Sequence, residues 1–417
     1  MSVSTTSPSQ TLISDAQARS GASPPLPRGP ILDWSSFQLV DAPGISSVED
    51  LPHTAFTTSG RAAIYQALLQ LQLPSGSTVL APSYHCPTMI APAILANLNV
   101  SYFGIRADGL PNLDAIDAAT ARQSKAMIVA HYFGLARSLA EVRRWCDERG
   151  IALIEDCAHC YFGEAGERPV GAWGDYSTAS LSKFLPVPEG GLLASSHRSI
   201  SNLRLSPQSL KAQLKGWADV FELATKYQRF SGFNKVLAFL FRLKNSRLRS
   251  AAITDAPPEP EPANMMRDCD MGRISHAPLS ASMTLKAVLP RGRVILRRQR
   301  NFACYAKHLE GVRGARPLFP LGTASFSQMA PYVFPLWVDD ADRLYHALRA
   351  MELPVFRWDR IWPGTPALND DQGPLWSRHV LQLLCHQDLS EADVQRTAEA
   401  IRSLLSSEPA LATPAPT

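Results

Sequence analysis

Across the first half of the chain, short solid apolar runs alternate with stretches whose apolar residues recur every three or four positions. Thr78–Pro82, Val100–Ile105, Ala126–Ala130 and Ile151–Asp156 are runs of the first kind and read as buried strands. Between them, Ala63–Leu71 sets Ile64, Ala67, Leu68 and Leu71 on one helical face. Thr88–Leu98, Asp114–Ala121 and Leu139–Arg149 read as further helices, the last with Glu141, Arg144 and Asp147 on its wet side. This alternation predicts an α/β fold, a three-layer αβα unit with a mainly parallel sheet. Ligands of such sheets lie beyond the carboxyl ends of the strands. Residues 82–87, 131–134 and 156–159 fall at such ends.

The pattern changes after Ser196. Residues 199–249 read as helical and basic, and 234–249 interleave Val236, Leu237, Phe239, Leu240, Phe241 and Leu243 with lysines and arginines. Packing on its own domain or a dimer mate is preferred for this helix over a membrane surface. Pro257–Pro262 reads as an extended connector. A long helix is predicted over 291–309. Strands at 332–338, 353–358 and 380–385 alternate with helices at 340–351 and 390–404, the last capped by Ser390 with Asp393. That gives a smaller C-terminal α+β domain. The predicted organisation is a disordered leader 1–30, a large domain 31–198, a helical insertion and connector 199–265, a linking helix and small domain 266–405, and a frayed tail 406–417.

Composition narrows the classes. With 417 residues, 45% hydrophobic and 19% charged, the chain is globular and long enough for two domains. A net charge of +4 without a basic stripe interleaved with aromatics gives no case for nucleic acid. No apolar run reaches the ~18–20 residues of a membrane span, and the Ser/Pro-rich start lacks the build of a secretory signal. Seven scattered cysteines include only Cys157 and Cys160 as a near pair, with no second pair to complete a zinc site. No metal is expected. Free thiols in a reducing cytoplasm are.

Three stretches carry candidate chemistry. Lys183, behind Ser180 and Ser182 and flanked by Leu181 and Phe184, is placed for partial desolvation. A desolvated lysine is a neutral nucleophile able to form a Schiff base with an aldehyde. Ser59 and Gly60 sit at a helix start, where N–H groups and the helix dipole make an anion site. Asp156 ends a strand beside Glu155.

Together, Ser59-Gly60-Arg61-Ala62-Ala63, Pro82-Ser83-Tyr84, Glu155-Asp156-Cys157-Ala158-His159, Gly174-Asp175 through Ser180-Leu181-Ser182-Lys183, and Gly190-Gly191 resemble the DegT/DnrJ/EryC1/StrS family of pyridoxal-phosphate-dependent sugar aminotransferases, of the aspartate-aminotransferase fold type. Arg297–Asn301 and Tyr332-Val333-Phe334 look like its later landmarks. The resemblance implies pyridoxal 5′-phosphate as cofactor, with Lys183 as its covalent anchor and proton carrier. Asp156 would hold the pyridine nitrogen, and Ser59, Gly60, Arg61 and Ser180 the phosphate. It also implies a homodimer that moves an amino group from an amino acid, glutamate by expectation, to a keto group of a nucleotide-linked sugar or cyclitol, in polysaccharide or secondary-metabolite biosynthesis. The chain departs from the family in three places. His159 replaces the usual glutamine; it is a cofactor-binding candidate able to hydrogen-bond the cofactor's phenolic oxygen or the substrate, with a charge that depends on pH. Cys86 stands where a ring-stacking aromatic is common, leaving Tyr84 and His85 as nearby rings, with His85 as the cofactor-binding candidate. The run 199–262 is long. Another reaction of the same cofactor (lyase, aldolase or dehydratase) and a non-catalytic role in regulation or assembly are the alternatives.

Overall fold

The computed structural model describes residues 26–406, apart from 43, 202, 246–261 and 321–327. Its large sheet contains β1 (His53–Thr57), β2 (Thr78–Pro82), β3 (Asn99–Phe103), β4 (Ser124–Ala130) and β5 (Ala152–Asp156). A small hairpin follows, β6 (Glu164–Ala165) and β7 (Arg168–Pro169), and then β8 (Tyr176–Ser180) and β9 (Gly191–Ser195) complete the sheet. The order across it is β1-β9-β8-β5-β4-β2-β3. The pairs from β3 through β8 are parallel; β8 with β9 and β9 with β1 are antiparallel. Every residue of β8 and β9 is buried, as expected of a sheet covered on both faces.

Helices α1 (Gly60–Gln70), α2 (Pro87–Leu95), α3 (Ala118–Gln123) and α4 (Ala140–Arg149) connect these strands. Ser59 caps α1, its Oγ accepting from the Ala62 N–H at 3.2 Å. Beyond the sheet come α5 (Leu210–Lys226), α6 (Asn234–Asn245), α7 (Pro262–Asp268), α8 (Ser280–Val288) and the long α9 (Arg291–His308). A second, antiparallel sheet holds β10 (Ala315–Pro317), β11 (Val333–Val338), β12 (Val355–Phe356) and β13 (Val380–Leu384) in the order β10-β11-β13-β12. Helices α10 (Ala341–Ala350), α11 (Gly373–His379) and α12 (Glu391–Ser406) pack around it. Ser390 and Asp393 form the expected reciprocal cap of α12.

Several local expectations are corrected. Strand β1 has too polar a sequence, His-Thr-Ala-Phe-Thr, to signal itself, and backbone pairing with β9 makes it a strand. The helix expected over 114–121 starts only after Asp117, whose carboxylate caps α3 through the Ala119 and Thr120 N–H groups. The helical run 199–249 resolves into α5 and α6, broken at Gly232. The disordered leader was expected over residues 1–30; 1–25 lie outside the described residues, and 26–30 are ordered. Leu26 is buried and the Pro27 carbonyl accepts from His386 at 3.0 Å. Most of the Pro-rich connector, up to 261, lies outside the described residues, and Pro262 opens α7.

The two sheets meet where the carboxyl ends of β4 and β5 face the start of β11. The Tyr332 N–H donates to the Phe133 carbonyl at 2.9 Å. Gly134 permits the approach: its φ is +86°, and a Cβ there would stand 2.1 Å from the Tyr332 nitrogen. Among the described residues no helix is long and apolar enough to cross a membrane.

Candidate active site

Successive side chains of a strand point to opposite faces, so the two acids ending β5 go to different places. Glu155 turns to the loop 171–174, where its carboxylate accepts from the N–H groups of Gly171 (2.6 Å), Trp173 (2.9 Å) and Gly174 (3.1 Å). His131 Nε2 completes the set at 2.8 Å from Oε1. Burial raises the Glu155 pKa, but His131 and the backbone donors outweigh it, and the carboxyl is held below its ordinary 4.5. His131, Glu155 and Cys157 bring three potential metal ligands within 4.8 Å of one another. The Glu155 oxygens are already filled by four donors, and burial pushes the Cys157 thiol well above its usual range, away from the thiolate a metal needs.

Asp156 instead lines a cavity of about 220 Å³ at the carboxyl end of the sheet. Its Oδ1 accepts from the Ala158 N–H at 2.9 Å. Burial raises its pKa above 3.8, and the nearby Lys183 ammonium works against that rise. Lys183 lines the same cavity. Desolvation lowers its pKa below 10.5, partly restored by Asp156. Amine and carboxylate thus face one space and bias each other's charge, as the sequence requires of a carbonyl-capturing lysine.

The backbone around the lysine is fixed from the far sheet. Arg298 on α9 is fully buried and its guanidinium donates to the Lys183 carbonyl at 2.6 Å. It also donates to the Pro331 carbonyl at 3.1 Å and to Gln387 Oε1 at 3.1 Å, and lies 4.4 Å over the Phe184 ring. Burial without a carboxylate against it pulls its pKa down to about 10. Gln387 in turn donates to the Phe184 carbonyl at 2.8 Å.

One cavity wall is the start of α1: Ser59, Gly60 and Arg61 line it, with Ser180 and Ser182 alongside. The first N–H groups of a helix have no intrahelical acceptor, so this wall offers donors and a positive dipole end. Only the backbone of Arg61 is available for this, because its side chain pairs with Asp270 at 2.8 Å. Gly191 keeps this corner closed, since a Cβ there would stand 2.1 Å from the Ser59 carbonyl oxygen.

His159 also lines the cavity, stacked on Tyr332 at 4.4 Å and 4.9 Å from the Trp358 ring. Its Nδ1 accepts from the Phe133 N–H at 3.3 Å. Burial lowers its pKa well below 6.5, so it is neutral, and the pH-dependent charge the sequence suggested does not arise. His85 does not join the site. Its Nδ1 donates to the Pro82 carbonyl at 2.8 Å and its Nε2 accepts from the Trp362 N–H at 2.8 Å, with burial pulling its pKa to about 4. A ring with both nitrogens engaged behind the wall cannot serve a ligand, and the cofactor-binding role expected for it is withdrawn. The neighbouring Cys86 takes the wall position.

His131, placed by the sequence at a ligand-facing strand end, lines the cavity, and sequence reasoning missed Thr88 and Trp358, which line it too. Trp358, just past β12, brings an aromatic side chain to the cavity, where the segment after β2 brings Cys86. No local signal marked the tryptophan, because it arrives from a distant part of the chain.

The residues present fit pyridoxal phosphate by their chemistry. A helix start with two serines suits a phosphate, a desolvated lysine an aldehyde, and a buried carboxylate a protonated ring nitrogen.

Residues 48–217 match the model of the DegT/DnrJ/EryC1/StrS aminotransferase family. GDP-perosamine synthase of Vibrio cholerae is 27% identical over 173 residues, which are 40% of this chain and 47% of that protein. Lipopolysaccharide biosynthesis protein RfbH of Salmonella typhimurium is 34% identical over 155 residues, 34% of this chain and 35% of that protein. The chain therefore spans no more than about half the length of these curated relatives. The solved structure of DesI in the presence of its TDP-sugar product shares the fold, with a TM-score of 0.58 at 18% identity, covering 86% of this chain and 81% of that one.

Proposed function

Residues 48–217 form a DegT/DnrJ/EryC1/StrS aminotransferase segment within a fold type I transferase architecture, and from that premise we propose that the chain is a pyridoxal-phosphate-dependent aminotransferase. Its donor is an amino acid, glutamate in the first instance. Its acceptor is a keto group on a nucleotide-linked sugar or a cyclitol, the class suggested by the relatives' names. The working form is a cytoplasmic homodimer. The observation that carries the reading is that Lys183 and Asp156 line one cavity together with the start of α1.

When bound, the cofactor supplies an aldehyde that condenses with amines and a ring that accepts the electron pair of a cleaved C–H bond. Lys183 anchors it and, once released by the incoming amine, moves a proton at Nζ between the substrate carbon and the cofactor. Desolvation lowers its pKa below 10.5, which favours the neutral amine that a base requires. Asp156 holds a proton at the ring nitrogen. Ser59, Ser180 and the Gly60 and Arg61 N–H groups bind the phosphate. Neutral His159, whose Nδ1 accepts from Phe133, would have its Nε2–H to donate to the cofactor or the substrate. The aldolase alternative, for which His85 was the candidate residue, loses support because His85 does not reach the cavity.

The test is spectroscopic. Protein loaded with pyridoxal phosphate and then given glutamate is expected to exchange the visible absorption of the aldehyde form for the near-ultraviolet absorption of pyridoxamine phosphate. Addition of a keto sugar nucleotide restores the first band. A loaded protein that answers no amino acid would sink the aminotransferase reading, and one that takes up no cofactor would sink the wider one.

A further inference from the structure

The seven cysteines are of two kinds. Cys146, Cys157, Cys160, Cys269, Cys304 and Cys385 are buried. Burial pushes the thiols of Cys146 and Cys385 up to about 12 and that of Cys269 to about 11, and it raises the other three as well. Thiols in such surroundings act as small packing groups and stay inert. Cys86 is only half-buried, and it is the one cysteine that lines the cavity of Lys183 and Asp156.

The path of the chain puts it there. Strand β2 ends at Pro82 and Pro87 opens α2, so Cys86 stands at the helix start with extended backbone, φ −85° and ψ 140°. Its side chain makes no capping bond to that helix. Instead Sγ lies 3.1 Å from the hydroxyl of Thr88, which lines the same cavity. Cys86 is also near enough to Lys183 to act on its charge beside Asp156. The space holds a further polar group without a protein partner. His159 is 4% exposed and lines it; its Nδ1 accepts from the Phe133 N–H, and its Nε2 meets no acceptor or donor among the described residues. A substituent carried by Cys86 therefore enters a space already built to hold a ligand.

We propose that Cys86 is a modification site for small disulfides, and that the adduct closes the cavity around Lys183. In the exchange the Cys86 sulfur attacks one sulfur of the disulfide. A new S–S bond forms to Cys86 as the old S–S bond breaks, and the departing sulfur takes up the proton that Cys86 gives up and leaves as a free thiol. Cys86 is oxidised and the disulfide reduced, so no further oxidant is needed, and excess thiol reverses the step. The cavity measures about 220 Å³, and an adduct within it competes with any ligand of Lys183 for the same volume. Only the effect on cofactor loading rests on the aminotransferase reading.

Full-length protein without added cofactor is treated with 2-hydroxyethyl disulfide. The remaining thiols are capped with N-ethylmaleimide in denaturant, and the adduct is located by peptide mass mapping. A single hydroxyethylthio group is expected, on Cys86 and removable by dithiothreitol, and total uptake by Cys86→Ser should be lower by about tenfold or more. Fixation of pyridoxal phosphate on Lys183 by borohydride, read by mass, is expected to fall about tenfold or more in the adduct and to return after dithiothreitol. In Cys86→Ser the disulfide should leave that fixation unchanged. No adduct, an adduct on a buried cysteine instead, or equal fixation with and without the adduct would each overturn the proposal. Should the unmodified protein fix no pyridoxal phosphate, the cofactor reading fails, while the peptide map still decides for or against Cys86.

Discussion

Replacement of Glu155 by alanine removes the acceptor of four buried donors: the N–H groups of Gly171, Trp173 and Gly174, and His131 Nε2. A buried donor left without a partner costs about 1–3 kcal/mol, so the four together reach about 4–12 kcal/mol. Water entering the vacated space would recover some of this and bring the loss toward about 4–6 kcal/mol. A domain's whole stability is only about 5–15 kcal/mol, so Glu155→Ala should be barely folded at room temperature. Glu155→Gln keeps the shape and one acceptor oxygen but turns an NH2 toward two donors, with an expected loss of about 2–4 kcal/mol. Urea unfolding followed by far-ultraviolet circular dichroism should rank parent above Gln above Ala. The pH dependence has a fixed sign. The folded pKa of Glu155 is depressed, so its contribution is complete above the unfolded value near 4.5 and disappears as pH falls through the lower folded value. Parent and Glu155→Gln should therefore converge in acid. An alanine variant within about 1 kcal/mol of the parent at neutral pH would refute the reasoning.

Three further outcomes follow from the site. Asp156→Asn should retain the cofactor but slow amino-group transfer by about a hundredfold or more in stopped-flow half-reactions, and near-normal rates would remove the role given to Asp156. Cofactor capture by apoprotein should rise with pH through the lowered Lys183 pKa and be half-maximal below pH 10.5; because Asp156 partly restores that pKa, Asp156→Asn should move the profile to lower pH still, and a move upward would contradict the pairing. Gly134→Ala should cost about 3 kcal/mol or more in thermal or urea unfolding, since its Cβ would overlap the Tyr332 nitrogen and its φ is +86°; an unaffected variant would mean that the two sheets do not approach there.

The parallel sheet was legible because its strands are short and solidly apolar, with capped helices between them. Ser59, Asp156, Ser180 and Lys183 were legible because strand ends and helix starts announce themselves locally, and all four line one cavity. Strand β1 was not, because its partner rather than its composition makes it a strand. His85 misled because a histidine after a strand end looks the same whether it faces a ligand or the Trp362 backbone. Trp358 escaped because more than two hundred positions separate it from Asp156. The helix α6 was expected to pack on its own domain or a dimer mate; Leu237 packs on the core, while Val236 and Phe239 are exposed.

The grip of Arg298 and Gln387 on the carbonyls of Lys183 and Phe184 bears on how the chain matures. The reactive amine belongs to the first half, yet the groups that steady its peptide come from α9 and from the turn after β13. During synthesis, then, the lysine emerges long before its braces, and a pocket able to retain the vitamin-derived coenzyme forms only once nearly the whole polypeptide has left the ribosome. Coenzyme uptake would report finished folding, and chains broken off early would stay empty.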